Sequence, residues 1–189
     1  MKNNQIIRRF AACAVAGTML LSLCACGAGK DGKDDTYKVA VVKQMDHASL
    51  DEIAKAITTQ LDSIAQEKNV TIEYEVYSGQ NDQSVLKQLG DQAIVDGVDA
   101  IIPIASTAAQ VMALCAQDTQ TPVVYAAVSD PKTAELTGLD YVTGTSDALE
   151  TSVILDMMLT QNPDLKKVGL LYSLSEPNSA TPIQEAKEY

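Results

Sequence analysis

From Tyr37 onward the chain alternates short β-branched apolar runs with amphipathic stretches, a pattern that fits very few architectures. Residues 39–42 are apolar without interruption, as in a strand covered on both faces. Ser49 and Glu52 have the spacing of a capping box, and Ile53, Ile57, Leu61 and Ile64 then share one helical face. Val70, Ile72, Tyr74 and Val76 alternate with Thr71, Glu73 and Glu75, which predicts an edge strand with one wet face. Asp82 opens a second helix with Val85, Leu86, Leu89, Ala93 and Ile94 inward. A third strand is expected over 100–104, a helix capped by Ser106 runs to about Ala116, and Pro122 introduces a fourth strand over 123–128. Asp147 and Glu150 repeat the capping spacing ahead of Val153, Ile154, Met157 and Met158, and Pro163 ends that helix. Residues 168–172 read as a further strand. Residues 175–178 can open another helix, which has barely two turns before Tyr189, so the chain is expected to be incomplete.

Strand and helix in this order imply an α/β fold with a mostly parallel, right-handed sheet. Ligands of such sheets bind beyond the carboxyl ends of the strands, where the strand order reverses. The loops there are 43–49, 105–108 and 129–131. In the second of these, small residues lead from strand into helix, so a ligand can approach the first backbone N–H groups, and a helix amino terminus favours an anion. A plain Ser/Thr cap beside small packing residues explains the same letters. Asp46 and Asp130 each follow a strand and can face a cleft, although a loop aspartate commonly serves its own turn. His47 is the only histidine, so no histidine pair can bind a metal or share acid–base work.

The sequence has no Gly-rich dinucleotide or phosphate loop, no G-x-S-x-G, no H-E-x-x-H and no paired-cysteine motif, and no cofactor or catalytic residue is expected. Beyond residue 25 there is also no arginine, tryptophan or phenylalanine. A ligand carboxylate must therefore be held by backbone N–H groups and hydroxyls rather than by a guanidinium fork.

The amino terminus is of another kind. Lys2, Arg8 and Arg9 precede a stretch, 11–25, that is apolar or small throughout, which is the pattern of an export signal too short to span a bilayer comfortably. Leu23, Ala25, Cys26 and Gly27 resemble the acceptor region of a bacterial lipoprotein signal, with cleavage before Cys26. That resemblance implies a lipid thioether on Cys26, and two or more acyl chains give lasting anchorage. Removing 1–25 takes away three positive charges and no negative ones, moving the formal net charge from −11 to −14 and disfavouring nucleic acid as a partner. Only Cys115 then remains as a free thiol, so no intramolecular disulfide can form, and its apolar neighbours mark it as a small buried hydrophobe. The glycine-rich, charged residues 27–36 read as a flexible tether.

Six blocks in order carry a wider resemblance: DHASLD at 46–51, GQNDQS at 79–84, ASTAAQ at 105–110, AVSDP at 127–131, VTGTSD at 142–147 and LYSLSEPNS at 171–179. Together the series resembles the substrate-binding lipoproteins of ABC transporters of the tryptophan/tyrosine-binding type. The resemblance implies a periplasmic-binding-protein-like fold: a three-layer α/β/α lobe over 37–143 and the beginning of a second over 144–189, after a signal at 1–25 and an anchor with tether at 26–36. It implies an extracytoplasmic, membrane-anchored protein that traps a small solute, an amino acid and commonly an aromatic one, and passes it to the permease subunits. By matching positions it implies ligand contacts at Gln44, His47, Thr107, Ala108, Ser129 and Asp130, and from the second lobe at Ser173, Ser175, Glu176, Asn178 and Ser179. A sugar or nucleoside-type receptor, or a surface-anchored α/β enzyme, is the alternative.

Overall fold

Parallel strands cannot be joined by a tight turn; each needs a crossover long enough to hold a helix. The chain meets that requirement three times in succession. The computed structural model describes residues 35–173 and 177–189, and the expected signal, Cys26 and most of the expected tether lie outside them. Strand β1 (Thr36–Lys43) leads to α1 (Ala48–Lys68), β2 (Thr71–Ser78), α2 (Gln83–Val95), β3 (Ala100–Ile104), α3 (Ser106–Ala116) and β4 (Val123–Tyr125). A short β5 (Val142–Gly144), α4 (Thr151–Gln161), a 3-10 turn (Pro177–Ser179) and α5 (Ala180–Glu188) follow. The strands form one sheet in the order β2-β1-β3-β4-β5, and every pairing is parallel.

Side-chain alternation distributes the core between two faces. Ala40, Val42 and Ile101 pack with Leu86, Ala93, Ala108, Met112 and Ala116 from α2 and α3. Val41 and Ile104 instead meet Ala54, with Ile53, Ile57 and Leu61 of α1 beside them. The result is the expected α/β/α layering, with β1 buried on both faces and β2 at the edge. Gly90 shows how closely α2 and α3 approach: a Cβ there would stand 2.6 Å from Cys115 Sγ and 3.0 Å from its Cβ. Cys115 itself is partly rather than fully buried, and burial raises its thiol pKa.

Several boundaries differ from the sequence reading. The cap of α1 is His47, whose Nδ1 accepts from Ser49 N at 3.3 Å, because the helix starts one residue before Ser49. Asp82 does cap α2, accepting from the backbone N–H groups of Ser84 and Val85. Ser106 is the first helical residue of α3 rather than its cap. Asp147 is not the cap of α4: Glu150 stands at the cap position without a side-chain bond to the helix, and Asp147 accepts from Ser129 Oγ instead. Strand β4 stops short of the expected 128, since Ala127 turns into left-handed backbone at φ 54° and ends the ladder. β5 escaped prediction because three residues give no periodicity. Residues 168–172 form no strand: an extended run becomes one only beside a partner, and no described strand stands next to it.

Candidate binding cleft

The strand order reverses between β1 and β3, whose connections leave toward opposite edges of the sheet. A crevice at their carboxyl ends follows from that topology. Gln44, the first residue beyond β1, is only 5% exposed; its N–H donates to Ile104 O at 3.2 Å and its Nε2 to Asn81 Oδ1 at 3.1 Å. Asn81 N in turn donates to Gln44 O at 2.9 Å, so the loops after β1 and β2 are held as one wall. His47 stands at the exposed end of that wall as a helix cap. Lys43, largely covered, reaches Asp46 at 3.0 Å and also bonds Asp51. Those bonds, to Asp51 first, raise the Lys43 pKa, and the Lys43 ammonium lowers that of Asp46.

The second wall is the start of α3. Ser106, Thr107, Ala108 and Ala109 are all buried, and no side chain caps the helix. The first N–H groups of a helix have no acceptor within it, so this buried terminus presents donors and the positive end of the dipole at the crevice. Ala105 precedes it at φ 78°, ψ 162°, a conformation almost restricted to glycine that costs about 1–3 kcal/mol. Backbone bonds hold it there, from Ala105 N to Ala126 O and from Ala109 N to Ala105 O, both at 3.0 Å.

The third group of residues surrounds the loop after β4. A cavity of about 290 Å³ is lined by Ser129, Asp130, Ser146, Leu149, Asn178 and Thr181, among others. Ser129 Oγ donates to Asp147, and Ser146 Oγ donates to the Ser129 carbonyl, which fixes the chain leaving β5 against this loop. The Asp130 carboxylate accepts from Lys132 N, Thr133 N, Thr133 Oγ1 and Thr181 Oγ1 at 2.6–3.1 Å. These donors, the Thr133 hydroxyl first, hold its pKa down to about 2. Its charge is therefore available to a ligand while its lone pairs are already engaged. Asn178 Oδ1, by contrast, is buried and accepts no hydrogen bond. Because a buried acceptor left unpaired costs roughly 1–3 kcal/mol, this atom is the place in the cavity where a donor gains most. Larger hollows exist elsewhere, one of about 450 Å³ near Lys38, Tyr77 and Asp96. It lies toward the amino end of the sheet, away from the strand-order reversal, and the smaller cavity is the better candidate.

Residues 38–189 match the family of ABC transporter substrate binding proteins. The chain belongs to this family. A tyrosine-binding protein of Clostridioides difficile is 27% identical over 93% of this chain and 54% of its own length. An ABC domain from Streptococcus pneumonia, solved in complex with L-Trp, superposes with a TM-score of 0.72 at 33% identity, over 82% of this chain and 53% of that one. The ligand-free, open structure of a substrate binding protein with adhesive properties from Clostridium difficile superposes with a TM-score of 0.65 at 26% identity, over 81% and 53%. The chain thus spans about half the length of these relatives.

The substrate-binding residues expected from the sequence fall into distinct settings. Gln44, Thr107 and Ala108 are buried in the two walls of the crevice, and Ser129, Asp130 and Asn178 line the cavity beside it. His47 is exposed, Ser173 lies in an exposed segment without regular structure, and Ser179 ends the 3-10 turn that packs against α3. Ser175 and Glu176 lie outside the described residues. Sequence reasoning did not single out Asn81, Ser146 or Thr181, whose roles arise from partners 37, 17 and 51 positions away. Only the blocks spanning 79–84 and 142–147 hinted at Asn81 and Ser146.

Proposed function

We propose that this protein is the extracytoplasmic, lipid-anchored substrate-binding component of an ABC importer, and that it captures a zwitterionic amino acid, preferably aromatic. The observation that carries the reading is the buried, uncapped start of α3 at the strand-order reversal, which suits a carboxylate in a sequence that has no arginine from residue 26 to 189. The unpaired Asn178 Oδ1, with the ionised Asp130 beside it in the same cavity, suits the ammonium. The L-Trp complex and the tyrosine-binding relative support the aromatic preference. Residues 37–143 constitute the first lobe and 144–189 begin a second, with the ligand between them and the permease subunits receiving it. Cys26 carries the lipid anchor, supported by the spacing of Leu23, Ala25 and Gly27; mass spectrometry of the mature amino terminus from the native host tests this, and an unmodified terminus elsewhere refutes it. Calorimetry on the whole protein with tryptophan, tyrosine, phenylalanine, leucine and a sugar panel tests the ligand class. Amino-acid binding is expected, and sugar binding without an amino-acid signal refutes the assignment.

A further inference from the structure

Thr181 lies on α5, far along the chain from the loop after β4, yet its hydroxyl donates to Asp130 Oδ2 at 2.8 Å across 51 positions of sequence. The other donors to this carboxylate, Lys132 N, Thr133 N and Thr133 Oγ1, all come from the turn that Asp130 itself opens. A carboxylate offers about four lone-pair positions, so the local turn fills three of them and α5 takes the fourth. The turn has enough donors of its own to keep its shape; the bond from Thr181 serves the position of α5. On its far side α5 is tied to α4 by Thr151 Oγ1, which donates to Glu185 at 2.7 Å. Directly before α5 stands the 3-10 turn with Asn178, so whatever fixes the first turn of α5 also fixes the unpaired Oδ1 in the cavity.

We propose that Thr181 is a positioning residue for ligand capture: docked on Asp130, its hydroxyl latches residues 177–188 over the carboxyl end of the sheet and sets how long a bound solute is held. The role in capture rests on the amino-acid reading above; the latch itself does not. Hydrogen–deuterium exchange on the full chain without ligand separates the two, using Thr181→Val, which keeps the shape and loses the donor, and Thr181→Ser, which keeps the donor. The valine variant should speed exchange of the amides in 183–188 about tenfold, the lower end for a hydrogen bond to a charged group because Asp130 keeps its local donors. The serine variant should match the parent. Equal exchange in all three proteins overturns the latch, and so does acceleration spread equally through β1 and β3, which would mark Thr181 as merely structural. In stopped-flow measurements on the whole protein, tryptophan should leave Thr181→Val about tenfold faster with an unchanged association rate; unchanged dissociation overturns the role in capture. A protein that ignores every amino acid while its 183–188 amides still respond to Thr181→Val refutes the amino-acid reading and upholds the latch.

Discussion

The two parts of this chain, 36–144 and 145–189, are written in the same apolar vocabulary and end in opposite environments. In the first part each apolar run finds a neighbour: Val41, Val42, Leu86, Ile101, Ile104 and Met112 are wholly buried between sheet and helices. In the second, α4 buries none of its residues, Val153, Ile154, Met157 and Met158 face outward, and Leu171 is fully exposed. Helical periodicity and capping residues specify an element locally, whereas burial requires a second surface. A segment such as 168–172, apolar enough for an interior parallel strand, stays unpaired without one.

The sharpest test of this contrast compares truncations in the two parts. Leu86→Ala should cost about 2–5 kcal/mol in chemical denaturation, whereas Met157→Ala should stay within about 0.5 kcal/mol. Equal costs would show that α4 is packed after all. The next effect concerns the contact between α2 and α3. Gly90→Ala gains helix propensity but drives a methyl into Cys115, and should lose about 1–3 kcal/mol net, part of it recovered by adding Cys115→Ala. Smaller still is the strain at the cleft: Ala105→Gly should raise stability by up to about 1 kcal/mol, while Ala105→Val, β-branched at positive φ, should lower it. Thermal unfolding of the pair reads both signs.

Acid reports on the junction between the two parts. The folded-state pKa of Asp130 is held at about 2, below its ordinary 3.8, so its contribution to stability is complete above the ordinary value and is lost as pH falls from there through about 2. Asp130→Asn should flatten the pH dependence of stability in that window and leave the neutral-pH slope unchanged. An unchanged acid profile would mean that the donors around Asp130 hold it no better than water does.

Much of the first part was legible in the sequence because its signals are local. The strand runs, the Asp82 cap and the inward faces of α1 and α2 all follow from period and chemistry within a few residues. The two capping errors share one cause. His47 took the cap expected of Ser49, and Ser129 took Asp147 away from the start of α4, because side chains choose among partners that only the fold brings near. The candidate site divides in the same way. Its residue types at the strand ends were readable from loop position and family resemblance, while the bonds from Thr181 of α5 to Asp130 and from Gln44 to Asn81 required the topology.

Backbone amide NMR of the whole protein, titrated with tryptophan, reads whether the start of α3 holds the ligand carboxylate. The largest downfield shifts should fall on the N–H groups of Ser106, Thr107 and Ala108 as the carboxylate docks on the start of α3, with a second group of shifts around Asn178. Shifts confined to the hollow near Lys38, Tyr77 and Asp96, with Ser106 to Ala108 silent, would place the ligand at the other end of the sheet and contradict it.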